Sequence, residues 1–197
     1  LSDIVKKIFI NLYNNKLIYR GKRLVNWDIK LQTAVSDLEV VNEETDGYLY
    51  HLEYKIKDSS ESVIVATTRP ETFFGDSAIC INPLDDRYRH LIGKKVLLPL
   101  INRELPIIED EIVDMSFGTG CLKVTPAHDF NDYKIGKKHN LEFINILNKD
   151  GTLNENVHDS YVGKNIHDIR ETLLKDLDNC GVFVKKEPHK NTLPIGE

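Results

Sequence analysis

Residues 48–66 read YLYHLEYKI, then KDSSE, then SVIVA, and this stretch decides the fold class. Segments 48–56 and 62–66 are short and rich in Val, Ile, Leu and Tyr, the side chains that suit a pleated surface. The charged run Lys57-Asp58-Ser59-Ser60-Glu61 between them reads as a hairpin loop. Segments 78–81, 96–100 and 122–125 repeat the pattern, each broken off by Gly, Pro, Asn or Asp. Several short strands separated by turn signals indicate a barrel or sandwich. The expected architecture is a mainly β, α+β fold: a β-barrel with peripheral helices.

Outward from this core the period changes. Ser2 is expected to cap a helix running to about Tyr19, with Ile4, Ile8 and Leu12 on one face and Val5 and Phe9 beside them. Arg20-Gly21-Lys22 ends it. A second helix is expected over about 129–140. A third, over about 165–179, carries Ile166, Ile169, Leu173, Leu174 and Leu177, and Cys180-Gly181 closes it. A last strand, 182–185, leads to Pro188 and a polar tail. The chain thus divides into an N-terminal helix and linker (1–22), a barrel core with inserted helices (23–187) and an exit linker (188–197), all within a single domain, 1–197.

Composition excludes several classes. With 197 residues, 41% of them hydrophobic, the chain has enough apolar material for a core. Its 26 basic and 31 acidic residues give a net charge of −5, so wholesale neutralisation of duplex phosphates is not its mode of binding. Cys80, Cys121 and Cys180 are odd in number, far apart and without a CxxC. They read as small buried hydrophobes in a reducing, cytoplasmic setting. No apolar run approaches the 18 residues or so of a membrane span, and no membrane partner is expected. The start, Leu1-Ser2-Asp3, carries neither a leader nor an initiator methionine, so the chain is expected to be a piece of something longer.

Two segments carry chemistry. The first is Ala66-Thr67-Thr68-Arg69-Pro70-Glu71-Thr72-Phe73-Phe74-Gly75-Asp76. Pro70 disfavours helical geometry at Arg69 and stops the strand ladder, so hydroxyls and a guanidinium gather at a strand end. The second is Gly118-Thr119-Gly120-Cys121-Leu122-Lys123-Val124-Thr125-Pro126-Ala127-His128-Asp129-Phe130-Asn131-Asp132-Tyr133. Strand alternation puts Lys123 and Thr125 on one face. Pro126 ends that strand, and Asp129 and Asp132 share a face in the first turn of the next helix. Read alone, the first segment is more simply a strand-to-turn transition, and the two aspartates an N-cap and a helix-dipole partner. No HExxH occurs and His128 and His139 stand eleven residues apart, so no metal ligands are assigned. No GxSxG elbow is present, and Gly118-Thr119-Gly120 is too short for a phosphate loop. The cluster Lys134, Lys137, Lys138 and His139 is either a phosphate patch or a solvated helix face.

The pair ATTRPETFFGD and GTGCLKVTPAHDFNDY resembles the inserted editing domain of the valyl-tRNA synthetase family. Residues 24–28, 31–40, 82–83, 86–88 and 90–94 agree with that family's pattern, and the resemblance covers roughly residues 4–190. Three positions depart from it: Ile29 where proline is usual, Phe73-Phe74 for a Met-Leu pair, and Ser77 for threonine. The leucyl and isoleucyl relatives share the domain, but their motifs match less well.

The resemblance implies hydrolysis of the threonyl ester on the 3′ end of mischarged tRNA(Val). A binding module that holds an aminoacyl-adenosine or RNA end without turnover is the alternative. It implies Asp132, Thr68, Arg69 and Lys123 as catalytic residues, with Asp132 on the α-ammonium. Thr67, Thr72, Phe117, Thr125, Asp129 and His128 are implied as substrate-binding, with Lys123, Thr125 and Asp129 reading the threonine hydroxyl. It implies no cofactor and no metal, and as partners the tRNA end and the catalytic and anticodon-binding domains of the same full-length chain, the segment itself being monomeric. Neither HxGH nor KMSKS occurs, so the chain is not expected to charge tRNA itself.

Overall fold

Alternating burial along one long strand organises the molecule. The computed structural model describes residues 1–196. In chain order the elements are α1 (Ser2–Asn14), β1 (Asn26–Asp28), β2 (Thr33–Val35), β3 (Val40–Ile56), β4 (Ser62–Thr67), β5 (Ala78–Ile81), β6 (Lys95–Leu98), β7 (Arg103–Glu109), β8 (Cys121–Val124), α2 (Phe130–Lys138), α3 (Arg170–Asn179) and β9 (Phe183–Gly196). Leu52, Tyr54 and Ile56 of β3 turn inward to meet Val63 and Val65 of β4, while Glu53 and Lys55 face outward. The β3–β4 register, His51 opposite Ala66 and Lys55 opposite Ser62, makes the charged run 57–61 the hairpin loop.

The main sheet runs β4-β3-β6-β7-β5-β8, with β9 also paired to β3. Among the described residues only β5 and β7 pair in parallel. β4 and β8, the two ends of the path, lie against each other and nearly close the sheet into a barrel. Ile79 and Ile81 of β5 enter the main core, while Ala78 and Cys80 form a smaller cluster with Val124 and Ile135 beneath α2. The expected class, mainly β with peripheral helices, is the observed one.

Several boundaries differ from expectation. α1 starts from Leu1 without a side-chain cap and stops at Asn14; Lys16 at φ 58° turns the chain away. On its apolar face Ile4, Val5, Ile8 and Phe9 are exposed and only Leu12 is half-buried. Residues 165–169 are not helical, because Thr152 bridges Asn165 and the Ile166 N–H donates to the Gly151 carbonyl. β6 ends at Leu98, and Leu100 has φ 65°. The exit linker expected over 188–197 is β-strand as far as Gly196, because β9 continues along β3 from Phe183 opposite Leu52 to Gly196 opposite Val40. Cys80 and Cys121 are buried but Cys180 is exposed, and all three are free.

Candidate functional site

The first wall of the site begins where β4 ends. Thr67 Oγ1 accepts from the Arg69 N–H at 3.1 Å, and Pro70 opens a short 3-10 helix, Pro70–Gly75. Inside that turn the Thr72 hydroxyl donates to the Arg69 carbonyl at 2.9 Å. Buried Glu71 anchors the turn from outside: Arg170 of α3 donates to both its carboxylate oxygens at 3.0 Å.

The second wall is the end of β8 and the start of α2. Pro126 stops the strand, and Asp129 caps α2, its Oδ1 accepting from the N–H groups of Asn131 at 2.7 Å and Asp132 at 3.1 Å. Gly136 lets the helix lie on the strand end, since a Cβ there would fall 2.7 Å from Pro126 Cβ. This brings Asp132 back to Thr125, whose N–H donates to Asp132 Oδ2 at 2.8 Å.

The two walls enclose one cavity of about 470 Å³. Thr67, Thr68, Arg69 and Thr72 line it from the first motif, and Lys123, Thr125, His128, Asp129 and Asp132 from the second. Ile112, Leu122, Asn131 and Ile135 complete the lining. Arg69 Nη1 donates to the His128 carbonyl at 2.7 Å and ties the motifs together at the rim. Gly75 permits the close approach below: a Cβ there would stand 3.0 Å from Thr125 Cγ2 and 3.2 Å from His128 Cδ2.

Lys123, only 5% exposed, holds the floor. Its ammonium donates to Thr72 Oγ1 at 3.1 Å, Thr125 Oγ1 at 2.6 Å and Asp76 Oδ1 at 2.6 Å. An ammonium has three N–H donors, and each has a partner here. Lys123 therefore orients its neighbours and offers no free donor to the cavity.

Electrostatics separate the two titratable groups at the back. Burial pushes the Asp132 carboxyl up to about 7; the Asp129 and Asp76 carboxylates add to the rise, and the Thr125 N–H and Lys123 oppose it. Burial, then the Arg69 and Lys123 cations, push His128 down to about 4. The neutral His128 ring is fully occupied: Nε2 accepts from the Ile146 N–H at 3.1 Å, and the ring also bonds the backbone of Ile144.

Nine of the ten residues singled out from sequence line this cavity. Phe117 does not: it is 53% exposed and meets the His189 ring edge-on at 5.9 Å between centroids. Phe73 and Phe74, which depart from the family's Met-Leu pair, are fully buried in the main core and do not line the cavity. Sequence reasoning missed Asp76, although it closes the first motif, and Tyr54, which donates to Asp76 Oδ2 at 2.7 Å. A signal was present: a lysine expected to point inward from a strand needs a buried counter-charge. The basic cluster on α2 is partly engaged, Lys138 and His139 both bonding Asp110, at 2.9 and 2.8 Å. Among the described residues no three His, Cys, Asp or Glu side chains converge as metal ligands, and no helix is long and apolar enough to cross a membrane.

A nearly closed barrel with two polar strand ends facing one cavity is the arrangement expected of an inserted synthetase domain. The family model for class I tRNA synthetases (I, L, M and V) matches residues 1–191, and the chain belongs to that family. Within it, the chain is similar along its whole length to valine–tRNA ligases. It is 57% identical to the enzyme of Legionella pneumophila (strain Paris) and 53% identical to that of Dechloromonas aromatica (strain RCB), in each case over 100% of this chain and 21% of the relative. The Synechocystis sp. enzyme is 52% identical over 100% of this chain and 22% of its own length. The chain thus spans about a fifth of the curated relatives it matches. Among solved structures, a LeuRS of Agrobacterium radiobacter K84, in ternary complex with tRNA and LeuAMS, shares the fold. The TM-score is 0.55 at 18% identity, over 94% of this chain and 31% of that one.

Proposed function

We propose that this chain is the post-transfer editing domain of a cytoplasmic valyl-tRNA synthetase and hydrolyses the ester of threonine mischarged onto tRNA(Val). One observation carries the reading. Among the described residues Asp132 is a desolvated carboxyl that makes no ion pair, beside a cavity whose lining includes several hydroxyl and carboxylate oxygens. A threonyl ester brings both a cation for that carboxyl and a hydroxyl proton for those oxygens. Valine activation sites are a known case of a pocket that rejects threonine only about a hundredfold, so a second site has a task to perform.

In this reading the α-ammonium of the substrate binds Asp132 through a charge-assisted hydrogen bond. The side-chain hydroxyl reaches the free oxygen of Asp129 and the lone pairs of Thr125 and Thr72. Valine offers no proton to these oxygens and leaves them dry and unpaired, at roughly 1–3 kcal/mol per group. Thr67, Thr68 and Arg69 hold the ester and the terminal adenosine at the mouth. Water attacks an ester already activated by the ribose, and the protein supplies position and electrostatics without a covalent intermediate. The catalytic and anticodon-binding domains of the full-length synthetase supply most of the tRNA grip, which agrees with the net charge of −5.

The test is ester loss from threonyl-tRNA(Val) and valyl-tRNA(Val), with and without the protein. Faster loss of the threonyl ester alone supports the reading. Binding of both without acceleration would instead identify a module that holds aminoacylated RNA ends.

A further inference from the structure

Behind the cavity floor, and outside its lining, sits a carboxylate that does more than balance the charge of Lys123. Asp76 is fully buried. Its Oδ1 accepts from Lys123 Nζ at 2.6 Å and from the Thr125 hydroxyl at 2.8 Å, and its Oδ2 accepts from the Tyr54 hydroxyl at 2.7 Å. We infer that Asp76, held by Tyr54, is a positioning residue that fixes the direction of the Thr125 hydroxyl proton and of the Lys123 ammonium on the cavity floor. The floor then accepts hydrogen bonds and does not donate them.

The count of protons carries this. A threonine hydroxyl has one proton and two lone pairs. Thr125 gives its proton to Asp76 and accepts one from Lys123. Thr72 gives its proton to the Arg69 carbonyl and accepts one from Lys123. Each oxygen keeps one lone pair and no proton. Asp129, and Asp132 in its ionised form, add only acceptors. At Thr72, Thr125 and Asp129, every polar group free to meet a ligand is therefore an oxygen lone pair. Without the Asp76 carboxylate, the Thr125 proton is released and Thr125 can donate. The ammonium of Lys123 also loses the partner that holds it away from the ligand. Selectivity for a ligand hydroxyl as donor thus depends on a residue that never touches the ligand.

This inference rests on the editing reading for its choice of ligands, but its test is binding and not turnover. Adenosine analogues carry threonine, valine or O-methylthreonine on the ribose through a non-hydrolysable amide, and affinities are measured on the intact protein. O-methylthreonine keeps the side-chain oxygen and removes its proton. The threonyl analogue should bind roughly tenfold to a hundredfold more tightly than the valyl one, and the O-methylthreonyl analogue should fall to the valyl level. Asp76→Asn should weaken the threonyl analogue to near the valyl level while valyl binding stays unchanged; a merely structural loss would weaken both. Tyr54→Phe, which keeps the ring in the core, should lower the same ratio by a smaller factor if Asp76→Asn does not fold. O-methylthreonine bound as tightly as threonine, or an undiminished ratio in both variants, overturns the inference. Selective binding without ester loss in wild type would leave it standing and remove the hydrolytic reading instead.

Discussion

The backbone N–H of Thr125 donates to Asp132 Oδ2 at 2.8 Å, and among the described residues it is the one hydrogen bond made to that carboxylate. The bond fixes where the carboxylate sits without neutralising it. Burial then raises the group to about 7, far above an ordinary aspartate, so the free protein holds a charge it stabilises poorly. A ligand cation would relieve that cost, which makes Asp132 the thermodynamic centre of the site.

Asp132→Asn should separate function from stability. A carboxyl raised in the folded state contributes stability that is present below about pH 4 and lost as pH rises through 7. The variant escapes that loss. It should be more stable than wild type at pH 8 by about 2–4 kcal/mol, or about 5–10 °C in a thermal melt, with the difference vanishing near pH 4. Hydrolysis of every ester should fall by at least about tenfold in kcat/KM, because the charge-assisted bond to the ammonium is gone. Melting curves at the two pH values and single-turnover assays check both halves.

The pH–rate profile should report the same group. On the proposed reading the substrate ammonium needs Asp132 ionised, so kcat/KM should drop about tenfold per pH unit below about 7. A second fall is expected above about 8, where an α-amino group loses its proton. His128, held down at about 4, is neutral throughout this range. His128→Gln should leave the acid limb where it is, and movement of that limb would assign it to the histidine.

Lys123→Met should cost more in stability than an exposed lysine would. It leaves Asp76 buried with its charge unpaired, a loss of about 3–5 kcal/mol. Adding Asp76→Asn should restore part of it, giving a coupling energy in a double-mutant cycle well above the roughly 1 kcal/mol typical of surface pairs. Discrimination between threonyl and valyl esters should be lost in the single variant. Denaturant titration and paired deacylation assays measure the two effects.

Gly75→Ala should loosen the site from beneath. The new methyl would press on Thr125 Cγ2 and His128 Cδ2 at 3.0 and 3.2 Å, forcing the two motifs apart at a cost of about 1–3 kcal/mol. Thermal melts give the cost, and a reduced threonyl-to-valyl ratio would show that the shift reaches the floor.

Much of the fold and site was legible because local chemistry and tertiary structure agree. Pro70 and Pro126 end strands as their missing N–H groups require, and Asp129 caps α2 as a short side chain before a helix does. Proline misled elsewhere. Pro188 reads as a strand breaker, yet it lies in β9, whose one partner is β3, so its missing N–H takes no bond from a second neighbour. Pro106 hid β7 in the same way, at the point where that strand leaves β6 and its neighbour Ile107 joins β5. Asp76 escaped because an aspartate after glycine reads as a turn residue, and only the packing shows that three donors converge on it. Phe117 was assigned to the site through the resemblance alone, with no local signal of its own, and its ring meets His189.

The most direct test is the titration of the Asp132 carboxyl followed by carbon NMR, in the free protein and with a non-hydrolysable threonyl-adenosine amide bound. The account predicts a free value near 7 that falls by two units or more when the ammonium arrives, roughly 3 kcal/mol of coupling. A free value near 4, or one that ligand binding does not move, would contradict it.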